Sequence, residues 1–136
     1  MNTDDSKFIL LNEICSRIPY GLKCQFINID EKEIYNVTVT GIEYITELDI
    51  YMVNGYDENN IKYSYNVECV KPYLRRMGSS KEEQKTLSKY YDYIRTSFPQ
   101  EGMRLYKSYC NEHHLDNWGL LERNLALKAP EGMYND

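Results

Sequence analysis

The chain has 136 residues, 21 acidic and 16 basic side chains, a net charge of −5 and a mean hydropathy of −0.66. That is the size and make-up of one globular domain, expected to span 1–136, and its acidic balance gives no global attraction to nucleic acid or to an anionic membrane. No segment approaches the roughly 18 apolar residues of a membrane span, and Asp4 and Asp5 ahead of a four-residue apolar run do not make a signal peptide; an intracellular protein is expected.

In chain order, "SKFILLNEICSRIP" places Phe8, Leu11, Ile14, Cys15 and Ile18 at helical spacing. Ser6 is its candidate cap and Pro19 its stop, giving a short amphipathic helix within 1–19. A β region follows over 20–77. "YGLKCQFIN" is its first strand. In "EIYNVTVTGIEYIT", Tyr35, Val37 and Val39 fall on odd positions, whereas Ile42 and Tyr44 fall on even ones. A phase slip at Gly41 is what a β-bulge produces. "LDIYMV" alternates Leu48, Ile50 and Met52, Asn54-Gly55 in "NGYDENN" is a hairpin-turn signal, "IKYSY" is a further strand, and "VECVKPYL" adds a short one. Four or five short strands with a bent member predict a small, curled antiparallel sheet, with an SH3-like barrel as one form it could take.

The chemistry then changes. Residues 28–68 hold nine acids and two bases, a net of −7, and residues 71–95 hold seven bases and three acids, a net of +4. Gly78-Ser79-Ser80 reads as a hinge, and Ser80-x-x-Glu83 as a capping box that opens a helix with Leu87, Tyr90, Tyr91 and Ile94 on one stripe. "MRLYKSYCNEHH" predicts a second helix, and "LDNWGLLERN" a third capped by Asp116. The helical region is therefore 78–136, with two or three helices, and the fold class is α+β.

Few motifs carry chemistry. Cys15, Cys24, Cys69 and Cys110 are scattered with no CxxC pair, so they read as small hydrophobes. No GxSxG elbow, phosphate loop or HExxH is present, and no catalytic residue or cofactor is assigned. Fourteen tyrosines against three phenylalanines suit half-buried strand faces and interfaces. The only two histidines, His113 and His114, stand side by side. Cys110 and His114 share a helical face, and with Asp116 they are the one metal-ligand set worth weighing. The competing reading makes them structural: His113 packs inward, His114 lies near the last carbonyls of its helix, and Asp116 starts the next. Lys71, Tyr73, Arg75 and Arg76 form a basic strip with an aromatic, suited to a protein partner, to nucleic acid in second place, or to pairing with the acidic sheet.

Three stretches, "IPYGLKC", "VECVKPYLRRMGSSKEE" and "NEHHLDNWGLLERNLALKAPEGMY", give the chain a likeness over nearly its whole length. It resembles a family of small uncharacterised proteins encoded by phages, prophages and mobile elements of gut bacteria, which share "VKPYLRPM" and "HHFDYRGLIEKGLALEAPE" phrases. Here Arg76 stands where that family tends to proline, Lys81 follows the serines, and "LDNWGL" replaces "FDYRGL". The resemblance implies an accessory role and no enzymatic chemistry. The function expected is a non-enzymatic interaction protein that binds a host or viral protein. A nucleic-acid-binding small barrel using residues 71–77 and a metal-dependent enzyme around residues 110–116 are the alternatives.

Overall fold

The structure, a computed structural model, describes residues 3–134 apart from 79 and 97. Helix α1 (Thr3–Arg17) turns Leu10, Leu11 and Ile14 inward, together with Glu13 and Arg17. It begins ahead of Ser6, so that residue is an interior position and not the cap. A 3-10 turn carrying Pro19 (Ile18–Tyr20) ends the helix, and Gly21 at φ 73° reverses the chain. That left-handed conformation is one glycine adopts without strain.

Strands β1 (Lys23–Asn28), β2 (Glu33–Ile45), β3 (Ile50–Tyr56) and β4 (Lys62–Asn66) form an antiparallel meander. A 3-10 turn (Val67–Cys69) leads into β5 (Val70–Leu74), which crosses back to pair antiparallel with β1. Helices α2 (Lys81–Arg95) and α3 (Pro99–Glu112) follow, and β6 (Leu127–Lys128) returns to lie parallel with β5. The order is β4-β3-β2-β1-β5-β6, six strands where four or five were expected. Among the described residues no pairing joins β4 to β6, so the sheet is open and the barrel closure entertained from the sequence is not seen.

The bulge lies where the phase slip put it. Val39 faces Gly55 and Gly41 faces Asn54, so the register shifts between them; beyond it Ile42 meets Val53 and Tyr44 meets Tyr51. The inward positions thus change from odd to even. Gly41 itself is not at positive φ, and a Cβ there would meet nothing within 4 Å. The close approach is at Gly55, where a Cβ would lie 2.4 Å from the Thr38 carbonyl oxygen and from Val37 Cγ1. Asn54-Gly55 is accordingly inside β3. The reversal falls on residues 57–60, where Asp57 Oδ1 accepts from the Asn59 and Ile61 amides at 2.9 Å each and Asn60 takes φ 66°.

Ser80 caps α2 by accepting from the Glu83 amide; Ser79 of the expected hinge lies outside the described residues. Gly102 lets α3 approach α2, because a Cβ there would sit 2.7 Å from the Ile94 amide nitrogen. No third helix follows: residues 116–126 form turns. The main core lies between α1 and the inner face of the sheet, around Ile14, Phe26, Val37, Val53 and Leu74, and a smaller one groups Leu87, Cys110 and Leu115. No helix among the described residues is long and apolar enough to cross a membrane.

Candidate functional site

The histidine segment is a junction. Helix α3 ends as the His113 amide donates to the Tyr109 carbonyl at 3.1 Å, and His114 takes φ 55°. That left-handed residue redirects the side chains, and the expected roles are exchanged. His114 is the buried ring, 3% exposed, stacked on Tyr134 with centroids 3.8 Å apart. Its Nε2 lies 2.9 Å from the Tyr20 carbonyl; a carbonyl only accepts, so Nε2 carries the hydrogen. His113 is half-buried against Tyr109.

Main-chain bonds lock this segment to the end of β5. The Arg75 amide donates to the His114 carbonyl and the Asp116 amide to the Arg75 carbonyl, both at 2.8 Å. Asp116 accepts from free amides as its residue type suggests, but they are those of Leu120 and Leu121, at 2.8 and 2.9 Å, and they belong to a turn. Two arginines complete the junction. Arg17 is fully buried, pairs with the Glu13 carboxylate, and donates through Nη2 to the Leu115 carbonyl at 2.5 Å and to Asn117 Oδ1 at 3.3 Å. Arg75 pairs with Glu83 at 2.9 Å and donates to the His113 carbonyl at 3.1 Å. The Tyr134 hydroxyl accepts from the Lys23 amide at 3.0 Å and donates to the Tyr73 carbonyl at 2.8 Å, fastening the C-terminal segment over the same place.

The three metal-ligand candidates are therefore not gathered. Cys110 packs against Met77 sulfur at 3.9 Å, His114 addresses Tyr20, and Asp116 addresses its turn. Burial pushes the Cys110 thiol up to about 11, away from the thiolate a metal requires. Among the described residues no group of three histidine, cysteine or acidic side chains is placed to hold an ion.

The 71–77 strip is divided by the strand alternation. Lys71 and Tyr73 fall on the outer face of β5. Tyr73 is buried there and donates to Asn36 Oδ1 at 2.6 Å, and Lys71 reaches Asn124 Oδ1 at 3.1 Å. Arg75 belongs to the junction, and Arg76 alone of the four is exposed. Arg75 and Arg76 line an open groove with Ser80 and Lys128, on the side of the molecule where the C-terminal segment passes.

A different surface stands out. The β1–β2 and β3–β4 turns lie at the same end of the sheet, because each strand pair is antiparallel and in register across β2 and β3. Exposed there are Ile29 (69%), Ile34 (59%), Tyr56 and Ile61, interspersed with Asp30, Glu31, Glu33 and Glu58. Ile34 and Tyr56 border a cleft of about 430 Å³ whose floor is Asn36 and Thr38 and whose far side is Lys23 and Met133. "NIDEKEI" announces itself in sequence as a polar turn; that its two isoleucines stay in solvent is visible only once the hairpin is built. Comparison with protein-family models, with curated proteins and with solved structures gives no match.

Proposed function

We propose that this is a non-enzymatic interaction protein, an accessory protein of a phage or mobile element that binds another protein in the cytoplasm of its bacterial host. The hairpin end of the sheet is the surface. The observation that carries the reading is the set of exposed apolar side chains there, Ile29, Ile34, Tyr56 and Ile61, rimmed by carboxylates. Apolar patches ringed by polar groups are the usual marks of an interaction site, and the acidic rim favours a partner with lysines and arginines around an apolar centre. An SH3-like curl of β1–β5 around the core, one step beyond the open pairing, is part of this proposal: it would leave Ile34 and Tyr56 on the outer, solvent side. The second reading, nucleic acid at Lys71 and Arg76, has less support, because Arg75 is paired and Tyr73 is covered.

The test is affinity capture from host cells by wild-type protein and by an Ile34→Asp/Tyr56→Ser variant, with and without nuclease, read by mass spectrometry. The expected result is a basic partner protein retained through nuclease treatment and lost with the variant. Capture that nuclease abolishes would transfer the function to nucleic acid, and capture indifferent to the variant would remove the hairpin end as the surface.

A further inference from the structure

We infer that the junction at His114 holds a binding slot for a phenol, and that the C-terminal strap, residues 129–134, docks there with Tyr134 as a tethered ligand. The slot is apart from the hairpin end and independent of the partner proposed there. Its walls belong to elements other than the strap. One wall is the buried His114 imidazole, set by the left-handed backbone of that residue and by the Tyr20 carbonyl 2.9 Å from Nε2. The Tyr134 ring lies on it with 3.8 Å between centroids and 23° between planes.

The other walls are two strand ends. The register of β1 with β5 runs from Phe26↔Val70 through Gln25↔Lys71 to Cys24↔Pro72, and one step further Lys23 would face Tyr73. Hydrogen-bonded pairs recur every second residue in an antiparallel ladder, so this step is of the same kind as Gln25–Lys71, yet it is not among the pairs formed. The Tyr134 hydroxyl stands in it. It accepts from the Lys23 amide at 3.0 Å and donates to the Tyr73 carbonyl at 2.8 Å, with the Lys23 carbonyl 3.2 Å away. A hydroxyl both accepts and donates, so one group serves both strand ends. A ring without it deprives a main-chain donor and acceptor of their partner. The strap itself is anchored at its start, where the Ala129 amide donates to the Leu74 carbonyl at 2.8 Å. It then turns on itself, the Met133 amide donating to the Pro130 carbonyl at 3.1 Å, and Pro130, Glu131 and Gly132 are exposed. A cleft of about 260 Å³, lined by Tyr20, Glu112 and Met133, opens beside the phenol, so a ring reaches the slot without disturbing the core.

The probes are p-cresol, which reproduces the tyrosine side chain, and toluene, which differs from it by the hydroxyl. They are added to the full-length Tyr134→Ala protein and followed by two-dimensional NMR. p-Cresol is expected to bind with a dissociation constant on the order of 1 mM, as suits a ligand of so few atoms. The shifts should centre on Tyr20, Lys23, Tyr73 and His114, and toluene should bind at least about tenfold more weakly. Wild-type protein, its slot filled by Tyr134, should bind p-cresol at least about tenfold more weakly than the variant does. Hydrogen exchange at the Ala129 and Met133 amides should be at least about tenfold faster in Tyr134→Ala than in wild type. Tyr134→Phe, which keeps the ring and loses the hydroxyl, should fall between them. If Tyr134→Ala does not fold alone, p-cresol but not toluene should restore its dispersed spectrum. A folded variant that shows no shifts at about 10 mM p-cresol, or an unfolded one that p-cresol does not restore, would overturn the slot. So would toluene acting as well as p-cresol, wild type binding as tightly as the variant, shifts centred elsewhere, or unchanged exchange in the strap.

Discussion

Arg17→Met isolates the interaction that joins the two ends of the chain. The guanidinium is fully buried, faces the buried Glu13 carboxylate, and donates to the Leu115 carbonyl 98 residues away. Methionine fills most of the volume and removes the charge. It leaves a carboxylate in the core without its cation and a buried carbonyl without its donor. Removing one partner of a buried ion pair costs about 3–5 kcal/mol, a large part of the roughly 5–15 kcal/mol that holds a domain folded. For a chain of this size each kcal/mol moves Tm by roughly 3–5 °C, so a fall of about 10–20 °C is expected. The double variant Glu13→Leu/Arg17→Met removes both charges and leaves the buried Leu115 carbonyl and the part-buried Asn117 Oδ1 without their donor, a deficit of about 1–3 kcal/mol that falls mainly on the carbonyl. It should therefore be more stable than Arg17→Met alone, even though it carries one more substitution. Urea unfolding followed by circular dichroism measures both. An Arg17→Met protein within 1 kcal/mol of wild type, or a double variant less stable than the single one, would refute the assignment of this pair as the clamp.

Further outcomes follow from the same geometry. Gly102→Ala should destabilise by about 1–3 kcal/mol through overpacking against the Ile94 backbone, whereas Gly41→Ala should leave the unfolding free energy from urea titration within about 0.5 kcal/mol of wild type, since its Cβ meets nothing. His114→Ala should lower Tm more than His113→Ala, because the buried, stacked ring is His114; the opposite order in thermal melts would place the junction incorrectly. Burial raises the Cys110 thiol from 9.0 to about 11, so the folded protein keeps a proton that the unfolded chain releases. Its contribution is complete below pH 9 and is lost as pH rises toward 11; Cys110→Ala should flatten that alkaline decline in a pH series of unfolding curves.

The elements that sequence made legible are those with strong local periodicity. The helices α1 and α2, the Ser80 cap and the odd-to-even slip at Gly41 are local regularities that reappear in the fold, although Phe8 and Cys15 of the expected α1 stripe and Tyr91 of the α2 stripe face solvent, and Leu10, Glu13 and Arg17 turn inward in α1 instead. The misread stretches depend on distant partners. Asn54-Gly55 has the chemistry of a tight turn, yet glycine is needed there because Thr38 of the neighbouring strand passes 2.4 Å from its missing Cβ. "LDNWGLLERN" has helical spacing, but Asp116 binds the Leu120 and Leu121 amides and Gly119 takes φ 71°, which closes a turn that lets the chain return to β5. Tyr73 and Arg75 look like exposed recognition residues until Asn36 and the C-terminal Tyr134 cover the first on the outer face of β5 and Glu83 pairs with the second.

Sequence by itself determined the α+β class, the order of most elements, the acidic β region and the absence of familiar catalytic motifs, because composition and short-range periodicity depend only on neighbours along the chain. Tertiary structure decided the sixth strand, the open sheet, the exchange of roles between His113 and His114, and the surface left apolar. A side chain's burial is fixed by what arrives from elsewhere in the chain: α1 supplies Arg17 to the carbonyl after His114, and the C-terminal segment supplies Tyr134 to its ring. Among the described residues nothing covers Ile29 and Ile34, and their exposure marks the end of the sheet where a partner is proposed to bind.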